Sequence, residues 1–160
     1  MTLHTIDPVW DKNSKVLILG SFPSVKSREE GFFYGHKQNR FWRVLASVCD
    51  CSVPESIEEK KKLLLSNNIA VWDVIHSCDI VGSSDSSIKN VVPNDIGTII
   101  KNSKVERIFT NGKKADELYR KYIERQVGIT AVCLPSTSPA NAAWTLDKLC
   151  TEWQQIIFPL

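Results

Sequence analysis

The sequence lacks an apolar run long enough to span a membrane, and its opening residues, MTLHTIDPVWD, are too polar for a signal peptide. It also lacks any CxxC pair, although it contains five cysteines. The two nearest each other, Cys49 and Cys51, have a spacing that suits neither a zinc knuckle nor a redox pair. We therefore expect no metal, no cofactor and no membrane contact, and a cytoplasmic location that keeps the thiols reduced.

Three common catalytic signatures are missing as well. The sequence has no GxGxxG of the kind that dinucleotide-binding folds use, and no lysine of a Walker phosphate-binding loop. A GxSxG turn, which would present a serine nucleophile, is also absent. There are no internal repeats, low-complexity segments or linker-like breaks in composition, so we expect a single domain over residues 1–160.

What the sequence does have is a globular composition with little net charge. Of its 160 residues, 42% are hydrophobic and 24% are charged, enough for one domain with a substantial core. The net charge is only +2, so any nucleic-acid binding must come from a local patch. One local excess of cations is either a solvated rim or such a patch: Lys26, Arg28, Lys37, Arg40 and Arg43, against Glu29 and Glu30.

Four apolar runs of strand length alternate with amphipathic segments. Strands are predicted at 15–20, 69–75, 105–111 and 130–135. Helices are predicted at 39–49, 55–68, 93–102 and 115–126, with a last helix after 143 and a polar loop over 77–90. Buried strands separated by helices form parallel sheets. The sequence therefore predicts an α/β fold, a three-layer α/β/α sandwich around a four-stranded parallel sheet.

Polar loops follow three of these strands: GSFPS, SCDIVGSSDSS and LPSTSPANAA. In a parallel α/β sheet, ligands bind at the carboxyl ends of the strands. The three loops should therefore lie together and form one site.

The GSFPS loop combines a tight turn with an aromatic ring and two hydroxyls. Gly20 and Pro23 shape the turn, and Gly20 lets the backbone approach a ligand closely. Phe22 offers a face on which a base can stack, while Ser21 and Ser24 can contact phosphate. The alternative is an ordinary tight turn with Phe22 in the core.

The stretch GHKQNRFW opens a helix. Asn39 is a good N-cap, and its carboxamide can instead orient a water molecule. An amide is a poor general base, so that role suits a reaction in which bond breaking runs ahead of water attack. His36 is more often a surface or capping residue than a catalyst.

The LPSTSPANAA loop has three hydroxyls, on Ser136, Thr137 and Ser138, that suit phosphate contacts. Its small tip around Ala140 and Asn141 can enter a groove. The alternative is a strand-to-helix loop in which Asn141 caps the last helix, and both can hold together.

Together these loops resemble the motifs of the uracil-DNA glycosylase superfamily. GSFPS, YGHKQNRFW, SSDSSIKNVVPND, TNGKKA and LPSTSPANAAW are most similar to its hypoxanthine (deoxyinosine) DNA glycosylase family, over about 15–153. The resemblance implies a four-stranded parallel sheet between helices, damaged DNA as the partner, and Asn39 as the catalytic residue. It also implies that GSFPS is the loop for the base and the water. LPSTSPAN then stands as the minor-groove loop, with Pro139, Ala140 and Asn141 at its tip.

Two departures from the well-known uracil enzymes argue against efficient uracil excision. Phe22 stands where those enzymes place Asp or Asn, and Leu134 stands where they often place His or Asn. Lys37 stands where the hypoxanthine family usually has Pro; this change either adds a phosphate contact or has no effect.

These expectations combine into one hypothesis, a monomeric, monofunctional glycosylase that flips out a deaminated base and hydrolyses its glycosidic bond, with hypoxanthine as the expected base. Phe22 stacks on the base, Tyr34 and His36 shape the pocket, and an abasic site is the product. No lysine stands out as a Schiff-base nucleophile. Open alternatives are a binding module without chemistry, a glycosylase acting mainly on uracil, and a hydrolase of free nucleotides. Asp85, in a serine-rich loop with no evident partner, is the reserve catalytic candidate.

Overall fold

The computed structural model describes residues 1–157 as alternating strands and helices. Within them the strands, in chain order, are β1 (Thr2–Leu3), β2 (Val16–Gly20), β3 (Ile69–Asp73), β4 (Ile75–Asp79), β5 (Lys89–Pro93), β6 (Arg107–Asn111) and β7 (Val132–Leu134). The helices are α1 (Val25–Glu30), α2 (Phe41–Val48), α3 (Ile57–Ser66), α4 (Ile96–Asn102), α5 (Lys113–Tyr122), α6 (Glu124–Val127) and α7 (Leu146–Trp153). None of the helices in this part of the chain is long and apolar enough to cross a membrane.

Four strands form one parallel sheet in the order β3-β2-β6-β7. All five residues of β2 are buried, because this strand lies inside the sheet and helices cover both of its faces. Its side chains alternate between two cores, with Val16 and Ile18 in one and Leu17 and Leu19 in the other. The predicted four-stranded parallel sheet is confirmed.

The two cores are the contacts between the sheet and its two helix layers. Helices α2, α3 and α7 cover one face, where Phe41, Leu64 and Trp153 are fully buried. Helices α4, α5 and α6 cover the other face, where Tyr119 is fully buried and Ile99 nearly so. Helix α2 has no side-chain cap, but six of its eight residues are buried, so packing rather than capping holds it. This arrangement is the predicted three-layer sandwich.

The prediction of a polar loop over 77–90 is wrong at both ends. Strand β4 covers the start of this segment and β5 begins at Lys89, and together with β1 they form a small antiparallel sheet in the order β1-β4-β5. In β4, exposed His76 precedes buried Ser77. A strand of an antiparallel sheet with one exposed face carries such polar residues, which a search for apolar runs does not detect.

Several predicted boundaries also move. Pro93 ends β5 rather than opening a helix, and α4 begins only after Asp95, whose side chain accepts a hydrogen bond from the Thr98 N–H. The helix predicted at 115–126 is two helices, α5 and α6, separated at Ile123. The short elements α1 and β1 were not predicted, because six and two residues are too few for a periodic pattern.

Candidate active site

A cavity of about 400 Å³ lies at the carboxyl ends of the parallel strands, within the range of small-molecule sites. The three polar loops meet there, as the topology predicts. The predicted residues that line it are Gly20, Ser21, Phe22, Pro23, Ser24, Tyr34, His36, Asn39, Ser136, Thr137, Ser138, Pro139 and Ala140. Four further residues line it that the sequence did not single out as site residues: Ser27, Phe33, Ser83 and Asn111. Asp73 and Asp85 line it as well.

Asn39 sits just before α2, but it is not the N-cap. The cap position is Arg40, because α2 begins at Phe41. The Asn39 side chain still serves the helix start, since its Oδ1 accepts a hydrogen bond from the Phe41 N–H at 2.9 Å. The same oxygen accepts a second hydrogen bond from Thr137 Oγ1, also at 2.9 Å. Asn39 therefore does not cap the helix as expected, and its Oδ1 instead accepts two hydrogen bonds, from the Phe41 N–H and the Thr137 hydroxyl.

Thr137 links Asn39 to β6. Its hydroxyl accepts a hydrogen bond from Asn111 Nδ2 at 3.0 Å, and its own N–H donates to Asn111 Oδ1 at 3.0 Å. Thr137 is fully buried, and its hydroxyl and its N–H are both engaged within the protein. The prediction that Thr137 contacts phosphate is therefore wrong, and its hydroxyl instead orients the Asn39 carboxamide.

This network determines which group Asn39 offers to a ligand. A backbone N–H can only donate, so the atom facing the Phe41 N–H must be the carboxamide oxygen. Both lone pairs of that oxygen are used, which leaves Nδ2 with two N–H donors. Since Asn39 lines the cavity, it presents a donor there rather than an acceptor.

Arg40 fastens the loop after β7. Its guanidinium donates to the backbone carbonyls of Ser138 at 2.9 Å and Asn141 at 3.1 Å, and also to that of Trp144. Arg40 therefore belongs neither to a solvated rim nor to a DNA-facing patch, because its guanidinium binds these three carbonyls within the protein. Asn141 does not cap α7 either, because Thr145 does, and Asn141 Nδ2 donates to the Ser136 carbonyl at 3.0 Å.

The hydroxyls of the GSFPS loop bind protein groups. Ser24 caps α1, accepting from the Ser27 N–H and donating to the Ser27 hydroxyl, both at 3.1 Å. Ser21 donates to Asp85 Oδ1 at 3.1 Å, so Asp85 does have a partner. The surrounding loops remove water from the Asp85 carboxyl, and this desolvation raises its pKa above the usual value, although the residue as a whole is exposed.

Phe22 occupies an intermediate position. Its ring is half-buried and packs partly against the second core, so neither a free stacking platform nor a pure core residue describes it. The Arg28 guanidinium lies 5.5 Å from the ring centroid, and the His4 ring meets it edge-on at 5.9 Å. His36, by contrast, is exposed, and its Nδ1 accepts a hydrogen bond from the Gln38 N–H at 3.1 Å.

The floor of the cavity is built from Gly20, Tyr34 and Asp73. A Cβ atom on Gly20 would overlap Asp73 Oδ1 and lie 3.0 Å from the Tyr34 hydroxyl oxygen. Glycine is thus needed there for these side chains rather than for a turn. Tyr34 adopts the left-handed conformation (φ 53°), which is unusual for an aromatic residue, and its ring stacks on Phe41 at 3.9 Å.

Three residues of this site escaped the sequence analysis for different reasons. Asn111 is the last residue of β6, and a polar residue that ends a buried strand is a signal that could have found it. Asp73 is the last residue of β3, but the strand predicted over 69–75 places it inside the strand and so does not mark it. His4, whose Nε2 lies 2.8 Å from Asp73 Oδ2, comes from the polar N-terminal segment, and no local pattern marks it.

Comparison with known proteins assigns this fold and site to a family. The model of the uracil DNA glycosylase superfamily matches residues 8–157, so the chain belongs to that superfamily and is a DNA glycosylase. It is 35% identical over 150 residues to a protein of Methanosarcina acetivorans named hypoxanthine DNA glycosylase, covering 92% of this chain and 93% of that one. A Methanosarcina barkeri protein of the same name is 36% identical over 138 residues, 84% of this chain and 85% of the relative.

Solved structures agree with this assignment. A solution NMR structure from Methanosarcina acetivorans, described as a candidate uracil DNA glycosylase, superimposes with a TM-score of 0.79 at 31% identity. The alignment covers 94% of this chain and 96% of that chain. The resemblance inferred from the sequence motifs is confirmed.

Proposed function

We propose that the protein is a monofunctional glycosylase that removes hypoxanthine from deoxyinosine in DNA and leaves an abasic site. The observation that carries the proposal is the Asn39 carboxamide, oriented by Thr137 beside a cavity with room for a flipped nucleotide. The names of the two Methanosarcina relatives support hypoxanthine as the base.

Base flipping is the first step. Extrusion costs a few kcal/mol and is cheapest for a mispaired base, which favours a deaminated one. The flipped purine would lie against the half-buried Phe22 ring, with Tyr34 below it and His36 at the exposed rim. Stacking on an aromatic ring contributes about 1–3 kcal/mol per base in single-stranded sites.

The chemical step is hydrolysis of the N-glycosidic bond. Its electron pair leaves with the base, and the oxygen of a water molecule bonds to C1′ of the sugar. The proton of that water passes to the departing base or to solvent. An amide cannot take the proton, so Asn39 positions the water through an Nδ2 donor while bond breaking runs ahead of attack.

The loop after β7 would grip the duplex beside the flipped nucleotide. Pro139 and Ala140 are exposed at its tip, and Asn141 and the Arg40 clamp hold the loop behind them. The side chains of Ser136 and Ser138 each accept a hydrogen bond from a nearby backbone N–H. We assign phosphate contacts to these two serines and to the exposed Lys37, whereas Ser21 and Ser24 already donate their hydroxyl hydrogens to Asp85 and Ser27.

We further infer that the protein acts as a monomer in a reducing cytoplasm. The five cysteines are all unpaired, which fits a reducing compartment. With few clustered cations, binding to duplex DNA should be weak and should fall as salt rises from about 50 to 200 mM. Sedimentation would test the monomer, and binding that is unchanged by salt would contradict the phosphate contacts.

The activity test uses duplexes that each carry one deoxyinosine, deoxyuridine or deoxyxanthosine. We expect alkali-dependent strand cleavage at deoxyinosine, and no cleavage without alkali because no Schiff-base lysine is assigned. Retention of the duplex on a filter without cleavage would instead identify a binding module. Greater activity on deoxyuridine would reassign the substrate, and activity on free nucleotides alone would identify a nucleotide hydrolase.

A further inference from the structure

The floor of the cavity holds a carboxylate that the chemistry described so far does not use. Asp73 ends β3, its side chain is only 5% exposed, and it lines the cavity. Burial of an ionised carboxylate is costly unless its oxygens find partners. One oxygen, Oδ2, has its partner in His4 Nε2 at 2.8 Å.

The direction of that hydrogen bond follows from the other ring nitrogen. His4 Nδ1 accepts the Ile6 N–H at 3.3 Å, so Nδ1 carries no proton and Nε2 is the donor to Asp73. The backbone of His4 is itself held, because its N–H donates to the His76 carbonyl at 2.7 Å. His4 therefore fixes which way the Asp73 carboxylate faces.

The second oxygen, Asp73 Oδ1, is left as an acceptor at the cavity. It lies over Gly20, where any side chain would displace it, and no group within residues 1–157 donates a hydrogen bond to it. The Tyr34 hydroxyl also lies against Gly20 and is buried, and although the Asn111 side chain approaches it as a donor, no group in this part of the chain accepts its hydrogen. Burial, with the nearby Asp73 charge, raises the Tyr34 pKa, so the hydroxyl stays protonated and can donate.

An acceptor beside a donor matches one class of base edge. Hypoxanthine presents the N1–H as a donor next to O6 as an acceptor, whereas adenine presents N1 as an acceptor next to an amino donor. We propose that Asp73, positioned by His4, accepts the ring N–H of a flipped lactam base, so that the pocket admits hypoxanthine and rejects adenine. Tyr34 supplies the neighbouring donor.

This inference rests on the proposed function and identifies Asp73 as the residue that makes the pocket selective for hypoxanthine over adenine. A site built around a buried hydrogen-bonding group rejects a ligand that lacks the matching group far more strongly than an apolar pocket does. The negative charge opposes departure of an anionic base, so Asp73 reads the base and does not activate it. His4 lies before residue 8, where the match to the superfamily begins.

The test measures binding rather than excision, with duplexes that carry uncleavable 2′-fluoro deoxyinosine or 2′-fluoro deoxyadenosine, each as an unpaired single-base bulge so that no pairing contact has to be broken. We expect the wild type to bind the deoxyinosine duplex at least about tenfold more tightly. A third duplex with 2′-fluoro deoxynebularine, whose purine lacks N1–H, should bind like the adenine duplex. Equal binding of the nebularine and inosine duplexes by the wild type would overturn the proposal without any variant.

Two variants sharpen the test. In Asp73→Asn, His4 Nε2–H still needs the side-chain oxygen, so the amide NH₂ faces the cavity and the preference for inosine over adenine should fall at least tenfold. His4→Phe should lower the same ratio, and His4→Gln, which keeps a donor, should recover part of it. His76→Phe, a matched change at an exposed histidine of β4, should leave the ratio unaltered.

The outcomes separate the inference from the proposed function. An unchanged ratio in folded Asp73→Asn, or in folded His4→Phe, with deoxyinosine excision intact in the wild type, overturns the inference alone. A ratio that falls as expected, in a wild type that excises nothing from deoxyinosine duplexes, overturns the proposed function and supports the reading of the base.

Discussion

The two walls of the cavity are built in opposite ways. The interlocked wall consists of Asn39, Asn111 and Thr137, whose side chains form a chain of hydrogen bonds of 2.9–3.0 Å with Thr137 fully buried. The open wall consists of Ser21, Ser83 and Asp85. Its hydrogen bonds, from Ser21 to Asp85 and from the Val25 N–H to Ser83, are exposed to solvent.

The difference supports the proposed role of Asn39. The hydrogen bonds of the interlocked wall are partly buried and centre on the fully buried Thr137, so they compete less with water and hold the Asn39 carboxamide in one orientation. The exposed hydrogen bonds of the open wall compete with solvent and hold less firmly. Positioning of a reacting group demands the first kind of wall. The loop of the open wall has only a 3-10 turn, at Asp85–Ser87, as regular structure.

The largest effect should follow from removing the Asn39 carboxamide. Asn39→Ala should lose about 10²–10³-fold in excision, the cost of a lost donor in a preorganised site. Lesion binding should persist, and the free energy of unfolding should fall by about 1–3 kcal/mol, because the Phe41 N–H and the buried Thr137 hydroxyl both lose their acceptor. Single-turnover excision and urea denaturation measure the two effects separately.

Asn39→Asp then tests which atom matters. Aspartate can accept both hydrogen bonds that Oδ1 now accepts, but it has no Nδ2 donor. Lost excision in this variant would support the donor role, and retained excision would mean that a carboxylate activates water instead. Full activity in folded Asn39→Ala would remove Asn39 from the mechanism and direct the search to Asp85.

A smaller loss of excision is expected when Thr137, the hydrogen-bond partner of Asn39 in the interlocked wall, is replaced. Thr137→Val keeps the shape but removes the hydroxyl between Asn111 and Asn39, so the carboxamide loses its fixed orientation. We expect excision to fall about 10–100-fold, a loss of part of the positioning, while lesion binding changes little. Stability should fall by about 1 kcal/mol, because the half-buried Asn111 amide is left without its acceptor.

Thr137→Ser is the matched control, since it keeps the hydroxyl and should retain most of the activity. Equal activity in Thr137→Val and wild type, at unchanged temperature of unfolding, would mean that the interlocked wall does not position Asn39.

Phe22 lies between the two walls, and its replacement should affect base capture alone. Phe22→Ala should weaken binding of inosine duplexes about 5–150-fold, the equivalent of about 1–3 kcal/mol of stacking, while abasic-site binding stays. Phe22→Leu, which keeps apolar bulk without the ring, separates stacking from packing. A collapse of thermal stability in both variants would make Phe22 a core residue.

The walls also differ in how far sequence could predict them. The sheet followed from apolar runs such as 15–20, and the meeting of the loops followed from parallel topology. Asn39 was identified through the family motif, but its bond to Thr137 spans 98 positions, and local patterns carry no information on such contacts. The same holds for Arg40, whose bonds reach 98 to 104 positions along the chain and turn an apparent DNA contact into an internal clamp.

The smallest effect should come from Asp85→Asn on the open wall. The carboxamide oxygen can still accept from Ser21, so excision should stay within a few-fold of the wild type. The pKa of Asp85 is raised in the folded protein, so its negative charge there is disfavoured relative to the unfolded chain, and this cost is present only above the usual carboxyl pKa of about 4. Asp85→Asn should therefore be slightly more stable at neutral pH, within about 0.5 kcal/mol, and the gain should vanish as the pH falls below about 4. Urea denaturation at both pH values, with excision assays on the same preparations, measures this. A hundredfold loss of excision in stable Asp85→Asn would place the water-activating group on the open wall and reverse the roles of the two walls.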